Sequence, residues 1–189
     1  MIKKYIVILC ATLFAQCTES IEDNNVYGPY GYHVAEGCVG TLSPLGRWCD
    51  QNNGTVKDMT TGLVWLKKAD WGGQYPLWNG YGGADAHHRA ASLWDGSPSE
   101  GKAGLSDGSV EGDWRLPTKN DLQGIIGGVE YISANRMYKF DNVQSGYYWS
   151  DKSCAGYPDG AGDVYMGGGN MLDGTKATSA YVWPVRSDN

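Results

Sequence analysis

Apolar residues in this chain come in short bursts whose period changes along its length. In "GTVKDMTTGLVWLKKA" (Gly54–Ala69), Val56 and the run Leu63-Val64-Trp65-Leu66 flank a polar "TTG". Two β-rich runs around such a turn predict a hairpin. "DAHHRAASLW" (Asp85–Trp94) changes to a helical period, with Ala86, Ala90, Leu93 and Trp94 on one stripe and Asp85 as N-cap. "TKNDLQGII" (Thr118–Ile126) predicts a second short helix. Thr118 caps it, and Asp121 three residues on completes a capping box. Pro117 ends the extended segment before it, in which Trp114 and Leu116 alternate inward. "GYYWSD" and "AYVWPVR" read as strands, the latter an edge or bulged strand at Pro184. Asp-Gly pairs begin at Asp95, Asp107, Asp159 and Asp173, each a turn signal because glycine reaches positive φ. The turns at Asp95 and Asp107 punctuate irregular stretches near 68–84 and 95–112. The pattern predicts an α+β domain with two short helices, antiparallel strands and long ordered loops.

Composition sharpens that picture. The 189 residues include 28 Gly, 8 Trp and 13 Tyr against 2 Phe. The core is therefore built from rings whose polar tips need partners, joined by many turns. Lys3 and Lys4 precede an apolar run, "YIVILCATLFA" (Tyr5–Ala15), too short to span a bilayer. Residues 1–16 read as an export signal. Cys17 stands where a bacterial lipoprotein carries its lipid, with Gln16 in place of the usual small residue. Cleavage near Cys17 or Ser20 by the ordinary signal peptidase is the rival. Residues 17–45 read as a polar tether and 46–189 as the domain, placed at the bacterial outer membrane or cell surface. The membrane is reached through the lipid anchor alone.

The formal net charge is −6, from 15 basic and 21 acidic residues, and no basic run is present. That argues against nucleic acid as a partner. Export implies oxidising conditions. Cys38, Cys49 and Cys154 allow three pairings; the first two are nearest in sequence and are the expected disulfide, which leaves Cys154 a free, partly buried thiol. His87-His88 are adjacent on a helix and diverge too far to grip one ion. "DQNNGTVKD" (Asp50–Asp58) and "PDGAGD" (Pro158–Asp163) carry oxygen ligands in the manner of calcium loops, although turn chemistry explains them equally well. "MGGGN" (Met166–Asn170) reads as a wide loop or bulge rather than a phosphate cradle. No catalytic constellation emerges: there is no G-x-S-x-G, and none of the three His sits beside a nucleophile.

"GTVKDMTTGLVWLK", a helix, "WRLPTKNDL", "YYWSD" and a closing "VWPVR" stand in the order of the Lcl C-terminal domain family, which the chain resembles over roughly Gly54 to Arg186. The resemblance implies a C-type-lectin-like fold with its first and last strands together, and a surface or secreted bacterial protein, often a lipoprotein. The family's named member resembles an adhesin that binds sulfated glycosaminoglycans, and some members are binding proteins whose C-terminal loops vary. This chain departs in its acidity and in the missing Cys of the first helix. Trp114, Arg115, Leu116, Pro117 and Thr118 read as a fold lock, with Arg115 expected in a buried network. The expected function is a non-enzymatic binding module for glycan or host matrix. Trp71, Tyr75, Trp78, Tyr81, Tyr157 and Tyr165 are expected on loops, amid Gly, Asn and Asp. Trp78, Tyr81, Tyr157 and Tyr165, with Asp159 and Asn170, are the ligand-binding candidates. The alternatives are an envelope assembly protein and an oxidase-like enzyme, the latter lacking paired C-terminal cysteines.

Overall fold

A computed structural model describes residues 26–27, 33–34, 37–75, 85–98, 103–126 and 139–188. Within these the chain is mostly β, with two small helices, in keeping with the expected α+β class. β1 (Val26–Tyr27) and β2 (His33–Val34) pair antiparallel.

One five-stranded sheet collects β3 (Thr41–Leu42), β4 (Trp48–Asp50), β5 (Thr55–Asp58), β6 (Leu63–Leu66) and β12 (Val185–Ser187), in the order β12-β6-β5-β4-β3. The expected hairpin is β5–β6, with Gly62 at φ 75° closing its turn. The ordered sheet begins earlier than the expected boundary at 46. Thr41 and Leu42 pair with Asp50 and Cys49, and the Cys38–Cys49 disulfide pins this edge. The last strand pairs with β6, so the C-terminal end of the chain closes the sheet that the first hairpin opens.

The other five-stranded sheet runs β10-β9-β8-β11-β7. It contains β7 (Gln74–Tyr75), β8 (Tyr147–Cys154), β9 (Tyr157–Tyr165), β10 (Asn170–Thr175) and β11 (Ala180–Tyr181). Two expectations change here. "AYVWPVR" is two strands, β11 and β12, in different sheets, with Val182, Trp183 and Pro184 crossing between them. Pro184 has no N–H to donate to a ladder, and its carbonyl accepts from Leu66 N. The Asp-Gly pairs at 159 and 173 are not turns but positions inside β9 and β10, where Asp173 lies opposite Gly162. Gly160 is needed there for close approach: a Cβ at that position would stand 2.2 Å from the Tyr157 ring.

Helix α1 (Ala86–Ala91) is capped by Asp85, whose carboxylate accepts from His88 N at 2.8 Å. Helix α2 (Lys119–Ile126) begins with the expected capping box: Thr118 N donates to Asp121 Oδ2 at 2.8 Å, and Asp121 N donates to Thr118 Oγ1 at 3.0 Å. The main core joins Trp48, Trp65, Trp114, Trp183, Tyr148, Leu122 and Ile125. A smaller one sets Ala86 and Ala90 against Leu116, Trp149 and Val182. Trp114 and Leu116 are each 1 % exposed, as the alternation requires.

Candidate functional site

A line of aromatic rings leads from the core to the surface at the start of β8. Trp48 meets Phe140 edge-on at 5.0 Å, Phe140 meets Trp183 at 5.1 Å, and Trp183 meets Tyr148 at 5.6 Å. Tyr148 stacks on Tyr181 at 5.2 Å with 29° between planes. The spine is fixed at its polar points, since Trp183 Nε1 donates to Leu66 O at 2.8 Å and Gln144 N donates to Tyr148 Oη at 2.9 Å. Burial pushes the Tyr148 phenol above its ordinary range, so it stays protonated while it accepts.

Tyr181 ends the spine and is half-buried. It lines a hollow of about 350 Å³ with Gln74, Gln144, Ser145 and Gly146. Parallel pairing of Tyr181 with Tyr148 brings β11 here, β7 supplies Gln74, and the segment entering β8 supplies the rest. Gly146 has a steric reason, because a Cβ would stand 3.0 Å from the Tyr181 ring. Upstream, Lys139 and Asn142 hold φ of 72° and 56°. Left-handed backbone at non-glycine residues persists only where surroundings enforce it, and it gathers at functional sites. Beside the hollow, Tyr147 and Tyr165 face each other across β8 and β9 with centroids 5.1 Å apart, and Asn170 is the register partner of Tyr165.

The hollow offers one held ring, two carboxamides and a hydroxyl. None of its five lining residues is a His, Cys or carboxylate. Such groups exchange hydrogen bonds with hydroxyls and amides and present an apolar ring face.

The candidates taken from sequence do not form one site. Tyr165 and Asn170 sit at the hollow's end of the sheet. Tyr157 and Asp159, both exposed, lie toward the other end of β9. Eight steps along the strand separate Tyr157 from Tyr165, roughly 26 Å at about 3.3 Å per residue. Both tyrosines are strand residues, not loop residues. "MGGGN" is the tight β9–β10 turn, with Gly169 N bonded to Tyr165 O. Trp71 is buried beneath Arg89, whose guanidinium lies 3.9 Å from the ring. Trp78, Tyr81 and Cys17 lie outside the described residues.

Arg115 is corrected. Its side chain is 43 % exposed, 3.5 Å from Asp121, and donates to Leu116 O. The lock at this point is backbone: Arg115 and Val185 exchange two hydrogen bonds of 3.0 Å. The buried fork belongs instead to Arg186, which binds Asp107, whose side chain has no exposed surface.

The oxygens suspected of holding calcium have other partners. Asp50 accepts from Asn52 N and pairs with Lys67, and Asn53 accepts from Thr55. Pro158–Asp163 is extended strand, unable to wrap an ion. Among the described residues no three His, Cys, Asp or Glu side chains gather around one point. His88 contacts Asp85, and burial lowers the His87 pKa. Burial, then the neighbouring Asp173 carboxylate, pushes the Cys154 thiol up, away from the thiolate a nucleophile needs.

Gln74, Gln144, Ser145 and Tyr181 escaped sequence reasoning. Only Tyr181 left a trace, as an aromatic next to the strand break.

Residues 54–186 match the model of the Lcl C-terminal domain family. No curated protein matches the chain.

Proposed function

The chain belongs to the Lcl C-terminal domain family, and from that premise we propose a non-enzymatic binding module of the bacterial surface that takes glycan or host-matrix chains. The protein is exported by its leader and anchored by lipid on Cys17, and its domain is of the C-type-lectin-like kind. Support for the fold reading comes from the pairing of β12 with β6, which unites the domain's early and last strands, and from the presence of a second sheet beside two small helices. Among the described residues no helix is long and apolar enough to cross a membrane.

The observation that carries the glycan reading is the hollow around Tyr181. A ring held by Tyr148 behind it and Gly146 beside it is organised before any ligand arrives. Preorganisation spares the ordering cost of binding. Gln74 and Gln144 can satisfy hydroxyls around a sugar stacked on that ring. None of the described lining residues is cationic, which favours a neutral sugar.

Titration calorimetry of the purified protein against neutral and sulfated oligosaccharides tests this. A neutral sugar should bind, and Gln74→Ala and Tyr181→Ala should each weaken it about tenfold or more. Folded variants that keep full affinity would overturn the assignment.

The second reading is an envelope assembly protein that docks another protein. It rests on edge strand β10, where Met171 and Leu172 are 42 % and 46 % exposed. Met171→Lys/Leu172→Lys should then abolish co-purification with an envelope partner while leaving sugar binding untouched.

A further inference from the structure

A second hollow, of about 360 Å³, opens on the other sheet. Its walls come from the β4–β5 turn (Gln51, Asn53), the loop 107–113 and strand β12 with its exit (Arg186, Asp188). Ser106 N donates to Asn53 O at 3.0 Å and ties two of these walls together.

The floor is a closed polar knot. Arg186 donates twice to Asp107 Oδ2, at 3.1 and 3.0 Å. Asp107 Oδ1 accepts from Ser109 N and Ser109 Oγ, and Ser109 Oγ accepts from Trp114 Nε1. Arg186 also lies 5.4 Å from the Trp114 ring. The charges of this pair are thus matched to each other.

The walls are differently disposed. Thr55 Oγ1 lies 2.6 Å from Gln51 Oε1 and 2.7 Å from Asn53 Oδ1, and its one proton serves one of them. Asn53 Oδ1 also accepts from Thr55 N at 3.2 Å, which leaves its NH₂ end as donor, and Gln51 presents the other end of its carboxamide. Asp113 uses one oxygen on Val110 N, and Asp188 pairs with Lys57 through one oxygen. Each keeps a second oxygen as acceptor. Val110, 61 % exposed, adds an apolar wall.

We propose that this hollow is a second ligand site, for a neutral hydroxyl-rich group, the ring of an uncharged sugar. Paired donors and acceptors around an apolar wall match vicinal hydroxyls flanked by C–H faces. Arg186 is taken by Asp107 and Lys57 by Asp188, so neither cation is left over, and the Asp113 carboxylate keeps the lining negative against a sulfated or carboxylated ring. The site extends the glycan reading but does not require the Tyr181 hollow to be occupied.

Amide NMR of the whole protein titrated with galactose, N-acetylglucosamine and glucuronate tests the two hollows separately. A neutral sugar should shift the amides of Asn53, Gly108, Ser109 and Val110 saturably, and glucuronate should not. Gln51→Ala and Val110→Glu should each weaken those shifts about tenfold at unchanged melting temperature, leaving any shifts at Gln144, Ser145 and Gly146 intact. Silence at residues 51–53 and 107–110 with both neutral sugars overturns this site alone. Silence confined to residues 144–146 counts against the Tyr181 hollow instead. Equal shifts with glucuronate overturn the neutral-ligand claim.

Discussion

Three arginines in this chain differ in role although each carries the same fork. Arg115 reaches into solvent. Arg47 bonds Asp58 at 2.9 Å and Gly124 O at 2.8 Å while lying 4.3 Å from the Trp48 ring. Arg186 covers an Asp107 whose side chain has no exposed surface. Removing one partner of a buried pair strands the other charge, at a cost of about 3–5 kcal/mol, whereas an exposed pair is worth about 1 kcal/mol or less. Arg186→Ala should therefore lower stability severely and Arg115→Ala hardly at all, as read by urea unfolding. Equal losses would contradict the burial difference. Asp163 adds a pH dependence. It is 5 % exposed, its Oδ1 has no partner, and burial raises its pKa. Below about pH 4, the ordinary carboxylate value, folded and unfolded chains both hold the proton. As pH rises through the window from there to the raised folded value, the unfolded chain releases its proton first, so stability falls. Asp163→Asn should raise the melting temperature at pH 7, and the gain should vanish below pH 4. Parallel melting curves for the two proteins across that range would show that this burial carries no cost.

Elements of this protein are legible to the extent that their causes are local. The capping box at Thr118 and Asp121 needs four adjacent residues, and the structure forms both of its bonds. Thr118→Ala should cost about 1 kcal/mol by freeing the Asp121 N–H, and Thr118→Ser should restore most of it. Chemical denaturation of both variants checks this, and an unchanged alanine variant would mean that the tertiary contacts of Leu122 and Ile125 alone set the helix start. The β5–β6 hairpin and the Cys38–Cys49 bridge were legible for the same reason, since each joins neighbours. The β9–β10 hairpin was misread because glycine has two uses with one spelling. In a turn it supplies positive φ. In Gly160 it makes room for the Tyr157 ring, a tertiary fact that "DG" cannot announce. Gln74 escaped altogether and Tyr181 left only a trace, because three separate segments build their hollow and no short motif spans them.

At the scale of the molecule, charge decides between ligand classes. The sequence carries a net charge of −6, but a local basic patch would override the total. Among the described residues seven of the eleven Lys and Arg side chains are paired with acids, while no carboxylate lies within 4.0 Å of Lys68 or Lys139. Lys57, Lys67, Lys119, Lys152, Arg47, Arg115 and Arg186 all lie within 4.0 Å of a carboxylate. The hydrogen bond from Lys67 to Asp50 raises the lysine's pKa, and Arg89 is bound to the carbonyls of Trp71 and Gly72 above the Trp71 ring. Sulfated polymers attract proteins through unpaired cations, and that attraction shrinks as the screening length falls from about 10 Å at 0.1 M salt to about 3 Å at 1 M. Stacking on Tyr181 and hydrogen bonds to Gln74 and Gln144 depend little on screening. Affinity for a neutral glycan should therefore stay within about twofold across that range of salt, while a sulfated glycosaminoglycan should bind weakly at low salt and be lost at high salt. Calorimetric titrations at the two ionic strengths measure both. Tight, salt-sensitive binding of the sulfated polymer would defeat the charge argument and direct attention first to Lys68 and Lys139, then to Lys102 and Arg136, which lie outside the described segments.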